Sequence, residues 1–220
     1  MSVEKTHNVD LLIEVVDALL HPSFDCDRQG QHASAIDVYL RDKAHDAASE
    51  ELRVAAKLLL SRSTKRTDDF IFEDNSTGKE TAERLKERLP RWPYYLYHGT
   101  VASNLPSIAE FGLQPALGRP VWKKFVGPEH LERGVFFTTS WRTAINWASV
   151  HTTGDDGEYK EGCDVAVVRV LAEPLTYSRD THARMSDCVV VEGRVSVIGS
   201  HYIEGLAPDF PEWQPLTQSK

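Results

Sequence analysis

The residues of this chain best suited to chemistry are a histidine and a glycine that follow an aromatic-rich segment. Tyr94 to Tyr97 lead directly into His98, Gly99 and Thr100. Aromatic residues bounded by a glycine predict a strand here. An imidazole at a strand end, beside a residue without a side chain, favours a site where histidine and backbone meet a flat polar ligand.

Two later segments carry groups that would complete such a site. Gly134 to Ser140 predicts a strand, and the helix that follows contains Trp147. Phe136 on the strand and Trp147 on the helix, eleven positions apart, could sandwich a planar ring. Asp187 then enters the apolar run Cys188 to Val191. This order places a carboxylate at the start of a third strand.

A second residue could supply the carboxylate of this site. Glu192 lies five positions after Asp187 and directly before Gly193, where a turn is expected. Because the two acids differ in strand parity, a regular strand would turn them to opposite sides. We favour Asp187 as the acid, with Glu192 as the alternative.

At these residues the chain resembles the ADP-ribosyltransferases of the diphtheria toxin and poly(ADP-ribose) polymerase branch. Tyr97 to Thr100 reads like the Tyr-His-Gly-Thr of diphtheria toxin itself. Gly134 to Trp147 is similar to the family's strand and helix with two nicotinamide-stacking tyrosines. Ser186 to Val191 is similar to its acid-plus-apolar-strand signature. The resemblance covers roughly residues 94 to 205.

The resemblance implies transfer of one ADP-ribose from the co-substrate NAD+ to a nucleophile, with release of nicotinamide and without a metal. Asp187 would stabilise the charge that develops on the ribose, which is where electrostatic groups help most. His98 would hydrogen-bond the adenosine ribose, with Thr100 a weaker candidate for the same hydroxyls. The Gly99 backbone would pair with the nicotinamide amide.

The same resemblance implies further contacts with NAD+. Phe136 and Trp147 would stack on nicotinamide, with Ala144 on the same helix beside them. Arg119 would face the phosphates or the acceptor. Phe136 and Asp187 stand where the family has tyrosine and glutamate, and rifamycin-modifying relatives also use aspartate. The aspartate argues against a chain-elongating polymerase.

These residues are compatible with one preferred function, transfer of ADP-ribose, and with two alternatives. The preferred acceptor is a macromolecule, nucleic acid or protein, as in a toxin or defence effector. A relative, the NAD-dependent RNA 2′-phosphotransferase, shares a similar first segment but lacks the carboxylate of the third. A degenerate module that binds NAD+ or a partner without catalysis would explain the missing hydroxyl at Phe136.

The elements that must position these residues form an α+β chain. Residues 1–90 are predicted to be helical and to serve in substrate recruitment, in binding of a protein partner or inhibitor, or in autoinhibition. Residues 91–220 are predicted to form an ADP-ribosyltransferase-like domain on a split mixed sheet. An apolar stripe from Val9 to Leu20 and another from Ile36 to Leu59 predict helices. Further helices are expected over Glu80–Leu89, over Asn104–Phe111 with Ser103 as cap and Gly112 at its end, and over Trp141–Val150 after Ser140. Strands are expected at Tyr94–His98, Val135–Thr139, Val165–Leu171, Val189–Val191 and Val195–Ile198.

Composition narrows the class of protein. The chain has 220 residues and a net charge of -8, so it is not a general polyanion binder. No apolar run is long enough to span a membrane, and the first ten residues lack a signal pattern, which favours the cytoplasm and no membrane partner. The three cysteines are scattered without metal or redox spacing and are interpreted as reduced packing residues.

Overall fold

A computed structural model of the chain describes eight segments. They are residues 3–21, 26–43, 45–64, 75–115, 132–152, 164–180, 187–205 and 212–217. The chain divides into two compact units, Met1–Tyr94 and Tyr95–Lys220.

The described part of the first unit is helical. Its helices are α1 (Val3–Leu20), α2 (Cys26–Asp42), α3 (Ser49–Ser63) and α4 (Ser76–Lys86). Helix α1 packs against α4, and α2 packs against α3. Each helix contributes fully buried apolar side chains to the interior, among them Val15, Leu19, Ile36, Leu52, Leu59 and Leu85. The helical N-terminal region predicted from apolar periodicity is confirmed.

The second apolar stripe is divided between α2 and α3 by a turn. The Ser49 hydroxyl donates to the carbonyl oxygen of Lys43 at 2.8 Å, and the Tyr39 hydroxyl donates to the Asp46 carboxylate at 2.7 Å. Side-chain bonds of this kind offer the backbone an alternative to helical hydrogen bonding. The apolar periodicity does not reveal the turn because it continues on both sides.

The described part of the second unit contains one sheet with helices on its connections. Its helices are α5 (Leu105–Phe111), preceded by a 3₁₀ turn (Ala102–Asn104), and α6 (Trp141–Thr152). Its strands are β1 (Tyr95–Val101), β2 (Gly134–Thr138), β3 (Val165–Leu171), β4 (Ser178–Arg179), β5 (Cys188–Glu192), β6 (His201–Glu204) and β7 (Gln214–Pro215). The spatial order is β4-β5-β2-β1-β3-β6-β7.

The mixed sheet predicted from the sequence is corrected, because every neighbouring pair of described strands is antiparallel. Alternating helices and apolar runs indicate where strands lie, but side-chain periodicity carries no information on strand direction. Val195–Ile198 is also not a strand, since Val195 makes only an isolated bridge with Leu113. The bounds of β3 match the prediction, whereas the short strands β4, β6 and β7 were missed.

The two faces of the sheet have different covers. Leu105 and Ile108 of α5 belong to an apolar cluster with Leu96, Phe137 and Val168. Every second residue of β1, counted from Tyr95 and including Gly99, points to the other face of the sheet, which α6 covers. The face under α6 therefore carries Gly99, whereas His98 and Thr100 share the opposite face with Leu96.

Gly112 ends α5 as predicted, but Ser103 is not its cap. Gly112 has a φ of +76°, and a Cβ there would lie 2.6 Å from the carbonyl oxygen of Val195. Both features require glycine. Ser103 lies inside the 3₁₀ turn, and Asn104 occupies the cap position of α5 without a side-chain cap bond.

Candidate functional site

The sheet opens between its central strands, β1 and β2. Strand β1 pairs with β3 along all seven of its residues, but its register with β2 has the single pair Tyr97–Thr138. One residue further, the Nδ1 atom of His98 lies 2.9 Å from the carbonyl oxygen of Phe136. The His98 ring also meets the edge of Phe137, with 5.8 Å between ring centroids. An imidazole thus bridges the two strands where their pairing stops.

The hydrogen bond of His98 places a proton on one of its two ring nitrogens. A carbonyl oxygen can only accept, so Nδ1 of His98 carries the proton and donates to Phe136. In the neutral imidazole the other nitrogen, Nε2, is then an acceptor. His98 is therefore suited to receive a hydrogen bond from a hydroxyl group.

Gly99 lies directly beneath α6. A Cβ at Gly99 would clash with the carbonyl oxygen of Ala144, and it would lie 2.9 Å from the Ala144 carbonyl carbon and 3.1 Å from the Ala148 nitrogen. The helix backbone therefore passes too close to the strand for any side chain here. Ala144 itself is buried, and it helps to position α6 against β1.

Helix α6 brings Trp147 to the start of β5. The Trp147 indole N–H donates to the sulfur of Cys188. The Cys188 thiol in turn lies 4.0 Å from Oδ1 of Asp187. The backbone N–H of Thr139, just after β2, donates to the Asp187 carbonyl oxygen at 3.0 Å. The residue after β2 thus holds the backbone of Asp187, and helix α6 contacts the neighbouring Cys188 side chain.

The Asp187 carboxylate is incompletely satisfied. Its Oδ2 atom is buried and has no hydrogen-bond partner among the described residues, although buried polar atoms are normally bonded. Burial, followed by the charges of Asp187 and Asp180, raises the pKa of the Cys188 thiol to about 12. Cys188 is consequently a neutral thiol near pH 7 and is not a ready nucleophile.

The remaining predicted residues differ in their placement. Phe136 is half-buried and shares the strand face of Thr138, the face that α6 covers, because it lies two residues before it. Thr100 is buried, and its hydroxyl accepts a hydrogen bond from the Asn104 side-chain amide at 3.0 Å. The geometry thus brings Phe136 to the side of Trp147 and ties Thr100 to its own turn.

Glu192 lies at the opposite end of β5 from Asp187. It pairs with Gly134 in the sheet register, its side chain is 72% exposed, and it forms an ion pair with Arg133 at 3.2 Å. This placement favours Asp187 over Glu192 as the acid near Trp147. Arg119, predicted to contact the phosphates or the acceptor, lies outside the described residues.

The sequence pattern does not predict that one further carboxylate, that of Asp180, lies near the site. Asp180 follows the two-residue strand β4, is 8% exposed, and donates its backbone N–H to the Cys188 carbonyl oxygen at 2.9 Å. A strand this short has no detectable alternation of apolar residues. Only the pairing with β5 reveals that Asp180 lies beside Cys188.

The described segments lack two features, a metal-binding cluster and a membrane-spanning helix. Those segments hold no group of three or more His, Cys, Asp or Glu side chains that could bind a metal ion. In the same segments, no helix is both long and apolar enough to cross a bilayer.

Comparison with protein-family models and curated proteins identifies no relative of this chain. No protein-family model matches the chain, and no curated protein matches it significantly. The functional interpretation therefore depends on the residues and their geometry.

Proposed function

We propose that the unit Tyr95–Lys220 is a mono-ADP-ribosyltransferase of the diphtheria toxin and poly(ADP-ribose) polymerase type. It would transfer ADP-ribose from NAD+ to a macromolecular acceptor, nucleic acid or protein, and release nicotinamide. The observation that carries the proposal is the buried Oδ2 atom of Asp187, for which the described part of the chain supplies no hydrogen-bond partner. An unsatisfied buried oxygen is costly, and a ribose hydroxyl would satisfy it.

The reaction gives this carboxylate its function. The bond between ribose C1′ and the nicotinamide nitrogen breaks, its electron pair leaves with nicotinamide, and positive charge develops on the ribose. A carboxylate fixed beside the 2′-hydroxyl stabilises this transition state more than the ground state, which is the condition for catalysis. Asp187 is preorganised for that task because Thr139 holds its backbone.

The aromatic residues and His98 would bind the two ends of NAD+. The Trp147 N–H is occupied by the Cys188 sulfur, so what the indole would offer nicotinamide is its π face. Phe136 would offer a second ring from the same side of the sheet. Nε2 of His98 would accept a hydrogen bond from a hydroxyl of the adenosine ribose.

Nicotinamide release from NAD+ tests the proposal. We expect the wild-type protein to release nicotinamide, and Asp187→Asn to lower the rate about a hundredfold, because one group that stabilises developing charge is removed. Glu192→Gln is the matched control, since this carboxylate lies at the other end of the same strand, and its rate should stay within about twofold.

Calorimetry with NAD+ separates the remaining outcomes. Heat of binding without nicotinamide release from the wild-type protein would contradict the proposal and identify a binding module. Equal release by Asp187→Asn and wild type would contradict the role of Asp187.

A further inference from the structure

Asp180 continues the edge strand into the candidate site. The β4–β5 register pairs Arg179 with Val189, and the bond from the Asp180 N–H to the Cys188 carbonyl oxygen at 2.9 Å extends it by one pair. Residues opposite each other in an antiparallel pair point to the same face. Asp180 therefore shares the face of Cys188, where α6 brings Trp147.

The Asp180 carboxylate acts on the same thiol as Asp187. Asp180 is 8% exposed, so its side chain lies within the protein. The negative charges of both aspartates disfavour the Cys188 thiolate, after the larger effect of burial. Two carboxylates thus lie close to one buried sulfur to which Trp147 also donates.

The two carboxylates differ in their position across the sheet. Asp187 adjoins the end of β2 through its bond with Thr139, in the interior of the sheet, whereas Asp180 extends β4, which is an edge strand. Asp180 is thus the carboxylate nearer to the edge of the described sheet. Paired carboxylates in one site often divide electrostatic stabilisation and proton transfer between them.

We infer that Asp180 is the general base that activates the acceptor, while Asp187 stabilises the ribose; this inference rests on the proposed function. As the C1′–nicotinamide bond breaks, an N–H or O–H group of the acceptor donates a lone pair to C1′. Its proton passes to the Asp180 carboxylate, and nicotinamide leaves as a neutral pyridine. The acceptor is accordingly a protic nitrogen or oxygen nucleophile.

The test compares two small nucleophiles in the presence of NAD+. Methanol must lose a proton to form methyl ADP-ribose, whereas azide carries no proton and forms ADP-ribosyl azide directly. We expect Asp180→Asn to lower methyl ADP-ribose formation about a hundredfold, the usual contribution of a general base. Formation of ADP-ribosyl azide should stay within about twofold of wild type, since azide needs no base. Asp187→Asn should lower both products.

A second variant distinguishes the loss of a general base from a folding defect. Asp180→Ser should regain methyl ADP-ribose formation when formate is added, because formate can replace the lost carboxylate. The near-UV circular dichroism spectrum of this variant should match that of the wild-type protein. Unchanged methanol reaction in Asp180→Asn, or equal loss with methanol and azide, would overturn the inference and leave the proposed function intact. No nicotinamide release by the wild-type protein with either nucleophile would overturn both.

Discussion

At the scale of single residues, Gly99 shows how one sequence feature can have two causes. The sequence favours a ligand that approaches the backbone at His98–Gly99. The structure adds that α6 passes over Gly99, near Ala144 and Ala148, which alone would require glycine. The residue type therefore does not distinguish ligand binding from helix packing.

Gly99→Ala should destabilise the protein by about 2 kcal/mol, because a new methyl group would overlap the backbone of α6, which cannot move aside like a side-chain tip. Urea unfolding followed by tryptophan fluorescence measures the effect. Gly30→Ala is the matched control, since its Cβ would lie an ordinary 3.6 Å from the Ser63 Cβ. That change should stabilise α2 by about 0.5–1 kcal/mol. Equal stabilities of Gly99→Ala and wild type would contradict the packing described.

The Cys188 thiol should resist alkylation in the folded protein at pH 8, because burial raises its pKa to about 12. In a background where Cys26 and Cys163 are replaced by serine, a maleimide should react quickly only after denaturation. The unfolded thiol has the ordinary cysteine pKa of 9.0. Between these values the folded state retains a proton that the unfolded state has lost, so stability should fall as the pH rises from about 9 to about 12. Fast labelling of the native protein would contradict this environment.

Residue chemistry predicts part of the candidate site. His98 and Asp187 stand out because their types are unusual at the ends of apolar strands. Asp180 does not, because its position depends on the pairing of a two-residue strand with β5. Long-range pairing of short strands is the part of a site that local sequence patterns cannot supply.

At the scale of elements, long periodic segments were predictable and their interruptions were not. Strand β3 is buried at six of its seven positions and has the predicted bounds, because a continuous apolar run is a strong signal. The turn between α2 and α3 depends on side-chain bonds from Ser49 and Tyr39. Strand direction, which made the predicted mixed sheet wrong, leaves no mark on periodicity.

Three helices of the first unit are joined through a buried arginine. Arg62 of α3 is 3% exposed and donates to Asn75 at the start of α4, and the Asn75 amide donates to the Leu19 carbonyl oxygen of α1 at 3.0 Å. We expect Arg62→Ala to destabilise the protein by about 3 kcal/mol, because a charged hydrogen bond and buried packing are lost together.

Urea unfolding followed by far-UV circular dichroism measures the effect of Arg62→Ala. Arg53→Ala is the control on the same helix, because Arg53 forms an exposed ion pair with Glu50 at 3.5 Å. Its effect should stay below about 0.5 kcal/mol. Similar losses for the two variants would contradict the linking role of Arg62.

At the scale of the whole molecule, the chain consists of two compact units, Met1–Tyr94 and Tyr95–Lys220. Each has its own apolar interior, built from helices in the first and from strands with α5 in the second. All proposed catalytic residues belong to the second unit. The sequence predicts recruitment or inhibition for the first, and no described contact bears on that role.

A fragment of residues 91–220 should therefore fold and release nicotinamide from NAD+ at a rate within about threefold of the full chain, because a compact unit with its own core folds alone. Circular dichroism and nicotinamide release measure the two properties. A folded fragment without activity would contradict the assignment of the chemistry to the second unit.

Transfer of label from NAD+ tests the central claim most directly. The wild-type protein, Asp187→Ala and Glu192→Gln would each be incubated with NAD+ labelled in the ADP-ribose part, alone and with RNA, single-stranded DNA or cell lysate. We predict labelled macromolecules with wild type and Glu192→Gln, and none with Asp187→Ala. Absence of both label and nicotinamide release in every mixture, or labelling unaffected by Asp187→Ala, would contradict the account.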